Sequence, residues 1–416
     1  MAQQPFLKSI RPVNLLSFGP DTEEIELRPL NILIGPNGCG KSNLIEIFAL
    51  LSKLPDKDPW STVVQTGGAR EWIWKGKDTG NKPPSLTVTT TAEQEDVAHM
   101  FTAPLNSEKG SLFYSIALRE RNSAFDVATE RFLEIEDGED GELANQDAFV
   151  RDDREFFTLT SGFTDAPSQQ VPKLTPGRSV LSMLGNAPDL VLQQPRIREF
   201  AEDIERFAFY RDWFFGAGSK VREPQPAGLD SNRLESDSRN LAQVLKAWRD
   251  RGNQAVFERL IELLRTFYEP VKDVDTELLG THLRIMIRET NGFNIPATRL
   301  SDGTLRWLSL LIILLDPAPP PVICIEEPEL GFHPDIIPTL ADLLRDASTR
   351  TQLIMTTHSQ ALVECFSDDP ESVCVCEKIE GATRIRRLDG ERLKVWLTDY
   401  SLGQMWASGQ IGGNRW

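Results

Sequence analysis

The chain has 416 residues and a formal net charge of −17, with a sequence pI of about 4.9. That balance has the wrong sign for a protein whose main business is neutralising phosphate backbones, although a local basic groove stays open. No run of about eighteen apolar residues occurs, so no membrane span is expected. The start Met1-Ala2-Gln3-Gln4-Pro5 has no signal architecture. Five cysteines without metal spacing point to a reducing cytoplasm.

In chain order, Leu7–Phe18 and Glu24–Ile34 read as two strands joined by Gly19-Pro20-Asp21. The second delivers Gly35-Pro36-Asn37-Gly38-Cys39-Gly40-Lys41-Ser42, which fits the P-loop pattern G-x-x-x-x-G-K-[ST] at every fixed position. Leu44, Ile47, Phe48 and Leu51 then fall on one helix face, and Pro55 closes the helix. Strand, glycine loop and helix form the context that the motif needs. The glycines let successive N–H groups, from Asn37 to Gly40, curl inward at phosphate oxygens, and the helix N-terminus adds a positive field. Lys41 can reach the β- and γ-phosphates, and the Ser42 hydroxyl can ligate Mg²⁺.

Leu86–Ala92, Leu112–Arg121 and Phe125–Glu136 alternate as an antiparallel meander. The acids Glu134, Glu136, Asp137, Glu139, Asp140 and Glu142 read as a solvated loop tip. Thr164–Pro188 is rich in Pro, Ser, Gly and Gln and reads as a linker. Helical spacing follows at Ile197, Phe200, Ile204 and Phe207, then over Asn240–Trp248 and Val256–Tyr268, ended by Pro270. Arg196, Arg198, Arg206, Arg211, Arg222, Arg233, Arg239, Arg249 and Arg251 are the one surface that could meet nucleic acid; ordinary charged helix faces are the simpler reading. Trp72, Trp74, Trp213, Phe214 and Phe215 read as core.

Leu283–Glu289 is a strand with Leu283, Ile285 and Ile287 on one face, and Asn291-Gly292 marks a tight turn. Leu300-Ser301-Asp302-Gly303-Thr304 precedes a buried helix, Leu305–Leu315. Val322-Ile323-Cys324-Ile325 is a buried strand ending in Glu326-Glu327-Pro328-Glu329. A helix around Pro338–Asp346 leads to a second buried strand, Gln352–Met355, ending in Thr356-Thr357-His358-Ser359. A hairpin (Ser372–Ile379, Thr383–Leu388), a helix near Leu393–Asp399 and a Gly-rich tail close the chain. The expected organisation is therefore an N-terminal lobe with the P-loop over 1–163, a linker and helical insertion over 164–270, and a C-terminal lobe over 271–416.

Ligands of an open α/β sheet sit at the carboxyl ends of its parallel strands. Glu326, Glu327 and His358 are expected there, beside the phosphates. Adjacent carboxylates leave a strand end in opposite directions, so one can assist Mg²⁺ while the other faces the attacking water as general base. His358 is placed to sense the γ-phosphate. Glu329 and His333 lie just past the strand without an assigned role.

Gly35–Ser42, Leu300–Thr304, Val322–Glu327 and Thr357-His358-Ser359 follow one another as in ABC-type ATPases of the RecF/SMC-like branch. Across essentially its whole length the chain resembles the short bacterial "AAA family ATPase" proteins of that branch. The resemblance implies an α/β fold: a P-loop NTPase of the ABC-type head kind with an antiparallel β lobe and a helical insertion. It implies ATP and Mg²⁺ held between two copies in a homodimer, each P-loop facing the other copy's signature. Lys41 and Ser42 would bind ATP and metal, Glu326 would assist the metal, and Glu327 would polarise water. His358 would contact the γ-phosphate, which Ser301 and Gly303 would cap from the partner. Cys39, beside Lys41 at a helix N-terminus, is expected to favour thiolate and to be alkylated more slowly when ATP is bound.

Two departures stand out. Glu326 takes the place of the usual Asp, and Asp302 replaces the first glycine of the commoner Leu-Ser-Gly-Gly signature. The glutamine loop has no clear match, Gln65 being available without a defining context. Three function classes follow: an ATP-driven dimeric switch controlling a nuclease-like effector in anti-phage defence, a RecF-like DNA-repair ATPase, and a transporter ATPase subunit. The acidic charge weighs against the second, and the large insertion with Asp302 against the third.

Overall fold

The computed structural model describes residues 5–76, 84–91, 110–137, 143–151, 157–159, 169–171, 177–184, 195–211 and 213–413. The chain forms two compact units. The first comprises Met1–Phe207, Pro370–Lys394 and Trp406–Trp416; the second comprises Ala208–Asp369 and Val395–Met405. These units cut the chain differently from the three consecutive segments set out above, because the C-terminal hairpin belongs with the N-terminal strands.

The first unit opens with β1 (Leu7–Val13), β2 (Ile25–Glu26), β3 (Leu30–Ile34) and α1 (Lys41–Lys53). Next come β4 (Ser85–Thr91), β5 (Gly110–Arg121), β6 (Ala124–Asp137), β7 (Leu143–Arg151), β8 (Phe157–Leu159), β9 (Gln169–Val171) and α2 (Pro195–Glu205). An antiparallel eight-stranded sheet runs in the order β2-β1-β4-β5-β6-β7-β8-β9. Tyr114, Ile116 and Leu118 on β5 and Phe125 and Val127 on β6 are buried with period two, as one packed face requires. Phe200 of α2 seals that face, its ring 5.4 Å from Tyr114 and 5.8 Å from Phe132. The fully buried Glu130 is satisfied there, accepting from the Tyr114 hydroxyl at 2.8 Å, the Ser179 hydroxyl at 2.5 Å and the Val180 amide at 2.8 Å.

Several boundaries differ from expectation. The run Leu7–Phe18 stops at Val13, because Asn14 and Leu16 take left-handed φ of 52° and 51°. The run Glu24–Ile34 splits between two sheets: Arg28 N–H donates to Asn31 Oδ1 at 2.9 Å in a turn around Pro29, which has no N–H to offer a ladder. The acidic cluster is partly strand, since β6 reaches Asp137, while Glu139, Asp140 and Glu142 lie outside the described residues. Of the linker 164–188, residues 164–168, 172–176 and 185–188 also lie outside them.

The second unit holds β10 (Ala208–Tyr210), β11 (Gln225–Pro226), α3 (Leu241–Asp250), α4 (Gln254–Phe267), β12 (Val271–Leu279), β13 (His282–Glu289) and β14 (Asn294–Pro296). It continues with α5 (Asp302–Leu314), β15 (Val322–Glu326), α6 (Ile337–Ala347), β16 (Gln352–Thr356) and α7 (Gln360–Glu364). β10, β15 and β16 lie side by side in parallel. β11, β12 and β14 pair antiparallel with β13, whose Leu283, Ile285 and Ile287 are buried in alternation. α5 is buried on all sides from Thr304 to Leu314. Trp307 anchors it, donating from Nε1 to the Leu263 carbonyl at 2.9 Å.

The chain then returns to the first unit with β17 (Val373–Ile379) and β18 (Ala382–Arg387). β17 pairs with β3 in parallel, Val375 opposite Ile34, and with β18 antiparallel. In place of one helix over Leu393–Asp399 there are two short turns, Gly390–Leu393 and Trp396–Thr398. Val395 and Trp396 are exposed there, so no buried apolar face holds a longer helix. Of the aromatics read as core, Trp72 and Phe215 are buried, whereas Phe214 faces solvent.

Candidate functional site

In the first unit β3 carries the P-loop. All five of its residues are buried, the pattern of a strand covered on both faces. At Gly35 a Cβ would sit 2.2 Å from the Cys376 carbonyl oxygen, so only glycine lets β17 lie this close. Gly40 has φ 111°, and a Cβ there would meet Thr383 Oγ1 at 2.1 Å. The hairpin β17–β18 therefore forms a floor under the loop. Thr383 donates to the Cys39 carbonyl at 2.7 Å and shares a 2.6 Å hydrogen bond with Ser17 Oγ. The tail reaches the same place: a Cβ on Gly413 would lie 3.5 Å from Gly35 Cα.

Above this floor Asn37, Gly38 and Ser42 are exposed. α1 begins without a side-chain cap, which leaves first-turn N–H groups for an anion. Lys41 is nearly buried and curls over the loop, its Nζ donating to the carbonyls of Gly35 at 2.8 Å and Pro36 at 3.2 Å. Cys39 lies between the loop glycines, two residues before Lys41. Its thiol is lowered to about 6, first by the hydrogen bond from Cys376; burial opposes this and the Lys41 charge assists it. Its sulfur nonetheless points inward and the residue is 2 % exposed, so access rather than acidity governs its reactivity.

In the second unit the adjacent carboxylates separate at the end of β15. Glu326 Oε1 lies 3.1 Å from Arg211 Nε, and the Glu326 carbonyl accepts from Trp213 Nε1 at 3.0 Å. Glu327 turns to the other side, with His358 Nε2 3.8 Å from its Oε1 and both side chains half-exposed. Its backbone takes φ 45°, a conformation that costs a non-glycine residue about 1–3 kcal/mol. Two hydrogen bonds hold it there: Glu327 N–H donates to the Thr356 carbonyl at 3.0 Å, and Arg306 Nη2 donates to the Glu327 carbonyl at 3.1 Å.

Glu329 forms a second layer. It is buried, and its Oε1 accepts from the Thr357 hydroxyl and from His358 N–H at 3.3 Å. Its Oε2 is buried without a partner. Burial pushes the Glu329 carboxyl up. Burial also pulls the Arg306 guanidinium down, against the charges of Glu329 and Glu327. His333 is exposed and caps a short turn, 3.1 Å from Asp335.

Ser301 is the N-cap of α5, its Oγ accepting from Thr304 N–H at 3.0 Å. The hydroxyl is thus already used inside the helix, though Ser301 and Asp302 are exposed. At Gly303 a Cβ would press on the Phe267 ring at 3.0 Å. Arg222 ties down the turn, donating to the Leu300 carbonyl at 2.7 Å and pairing with Asp302.

The structure thus brings Glu326, Glu327 and His358 together at neighbouring strand ends of the second unit; Ser301 and Gly303 stand at the start of α5 in the same unit, and Asn37–Ser42 belong to the first. The sequence gives no place at the site to Arg211, Trp213, Arg306, Cys376 or Thr383, and Trp213 reads there only as core. Arg211 stood only among nine arginines, whose other members include Arg198, Arg206, Arg239 and Arg249, paired with nearby acids. Ser42 and Glu326 offer hard oxygen donors, which suit Mg²⁺. No group of three or more His, Cys, Asp or Glu among the described residues could hold a metal ion.

Among solved structures, an SMC head bound to the C-winged helix domain of ScpA matches at TM-score 0.54 and 14% identity, over 94% of this chain and 100% of that one. A Pyrococcus furiosus Smc head with an extended coiled coil, bound to the C-terminal domain of ScpA, gives TM-score 0.49 and 13% identity over 95% and 99%. No curated protein matches the sequence. The fold is that of an ABC-type P-loop NTPase head. A family model covers residues 30–364, well over half the chain and from the P-loop strand to α7: this ATPase belongs to the family described as "AAA domain, putative AbiEii toxin, Type IV TA system".

Proposed function

We propose that this ATPase is a dimeric switch. Two copies close on ATP, each P-loop facing the other copy's signature, and the closed dimer controls a separate effector of nuclease type in defence against phage. The observation that carries the reading is α5: a helix buried along its length presents only its first residues, Ser301 and Asp302, to solvent. A rigid helix start of that kind suits an anion brought by a second copy. The family description names a toxin–antitoxin system, and an SMC head was solved bound to a domain of ScpA, both consistent with action through another protein.

In this reading Asn37, Gly38, Cys39 and Gly40 supply backbone donors, and Lys41 pairs with the phosphates. Ser42 would offer its hydroxyl and Glu326 its carboxylate to Mg²⁺, which would supply charge to neutralise the phosphates. Glu327 takes a proton from the attacking water, its carboxylate aimed by the fixed backbone. His358 donates to the γ-phosphate, and Ser301 and Gly303 complete the partner's site. The five free cysteines suit a cytoplasmic setting. Glu327→Gln, whose amide cannot accept the proton, should retain ATP, stop hydrolysis and show an ATP-dependent rise in mass by light scattering. A monomer with ATP bound would refute the switch. Mixing Lys41→Ala with Ser301→Arg, each inactive alone, should restore part of the ATPase, since one composite site is then intact. Full inactivity of a confirmed heterodimer would mean that Ser301 acts on its own copy.

A further inference from the structure

Glu326 is met at its side chain by Arg211 and at its main chain by Trp213, both just past β10. β10 lies parallel to β15 with Tyr210 opposite Ile325, which sets Arg211 alongside Glu326. Arg211 Nε meets Glu326 Oε1 at 3.1 Å, and the two side chains are 29% and 21% exposed. Trp213, two residues on, donates to the Glu326 carbonyl. That indole is itself fixed, stacked against Tyr210 at 5.9 Å and Phe215 at 5.8 Å, with the Arg306 guanidinium 5.2 Å from its centre. Tyr210 is buried, and its hydroxyl donates to the Leu234 carbonyl at 2.9 Å. The guanidinium therefore meets the carboxylate beside a fixed indole, largely withdrawn from solvent.

We propose that Arg211 is a latch on Glu326: its guanidinium and a divalent cation compete for the same carboxylate, so metal capture requires the ion pair to open. The inference rests on the reading of Glu326 as the metal-assisting acid. A carboxylate oxygen can be shared, but two positive charges on one carboxylate repel each other across a few ångströms in a partly desolvated site. Arg211 is thus a positioning residue, acting through Glu326 and setting how strongly nucleotide binding depends on the metal.

The test compares the affinity of the full chain for a fluorescent, non-hydrolysable ATP analogue in Mg²⁺ and in EDTA. The ratio of the two reports metal coupling without turnover. Arg211→Met should raise the ratio about fivefold, the worth of a partly exposed ion pair. Arg211→Gln, which keeps a hydrogen bond without the charge, should raise it less and serves if Arg211→Met fails to fold. In a Glu326→Gln background neither change should matter, because the contested carboxylate is gone. An unchanged or lowered ratio in the Arg211 variants overturns the latch. An equal rise in the Glu326→Gln background also overturns it, assigning the effect to general charge. If Glu326→Gln alone leaves the ratio at its wild-type value, the metal role of Glu326 fails and the latch with it. If Glu326→Gln lowers the ratio while Arg211→Met does nothing, only the latch fails.

Discussion

Glu329→Gln gives a pH-dependent test of how the second layer is built. Glu329 is buried against Thr357 and His358, with Oε2 buried and unpartnered. An unpaired buried acceptor costs about 1–3 kcal/mol, more when charged, so the fold favours the protonated acid. The direction of the shift agrees, because burial, the largest cause, raises the Glu329 carboxyl. A group whose folded value is raised binds its proton more tightly in the native state. Its stabilising contribution is then complete below the unfolded carboxyl value, about 4.3, and is lost as pH rises through the elevated folded value. Glutamine keeps an oxygen for Thr357 and His358 and has no charge to acquire. From pH 4 to pH 8 the wild type should therefore lose about 1–3 kcal/mol relative to Glu329→Gln. At about 2–4 °C per kcal/mol for a domain of this size, paired thermal melts across that range resolve the change. The constant cost of burying the amide N–H groups cancels in the comparison. A difference between the two proteins that is flat in pH, or grows in favour of wild type at pH 8, would show that Glu329 is ionised and paired at neutral pH.

Thr383→Val removes the donor to the buried Cys39 carbonyl and should cost about 1–3 kcal/mol of stability together with weaker nucleotide binding, whereas Thr383→Ser should retain both. Equal behaviour of Val and wild type in melts and nucleotide titration would remove the hairpin's role under the loop. Lys41→Ala should weaken ATP binding about tenfold to a hundredfold, the worth of a charge-assisted contact, with the fold intact by circular dichroism. Cys39, buried against Cys376, should be alkylated more slowly than the part-exposed Cys365 by peptide mass spectrometry, although burial raises the Cys365 thiol and Cys39 is the more acidic. Faster labelling at Cys39 would mean that the loop opens often enough for acidity to dominate.

The P-loop was legible because its requirements are local. Glycines, lysine and serine act within eight consecutive positions, and the flanking strand and helix show their periods in the same window. The strand ends at Glu326–Glu327 and Thr356–His358 were legible for the same reason, since a short apolar run followed by polar residues marks where a buried strand emerges. What each side chain meets there was not. Arg211 pairs with Glu326 only because β10 is the parallel neighbour of β15, and strand order is not written in either strand. The hairpin floor is less visible still: Thr383 reads as an ordinary strand threonine until β17 is seen beside β3, more than three hundred residues away in the chain.

The expectation for Cys39 shows the limit of arguing from local electrostatics. A helix N-terminus and a neighbouring lysine did predict an acidic thiol, and Cys39 is acidic. They could not say which way the sulfur points. That is decided by Cys376, whose carbonyl closes on Gly35 and whose thiol supplies the hydrogen bond. Glu327 makes the converse case. Nothing in Glu326-Glu327-Pro328-Glu329 announces a left-handed residue, and β-region backbone would be the default for the residue before proline. The strained φ of 45° is held in place from outside, by the Thr356 carbonyl on the neighbouring strand and by Arg306 on the signature helix. The direction in which the proposed base points is therefore a property of three elements together, and a change at Arg306 should disturb it as surely as a change at Glu327 itself.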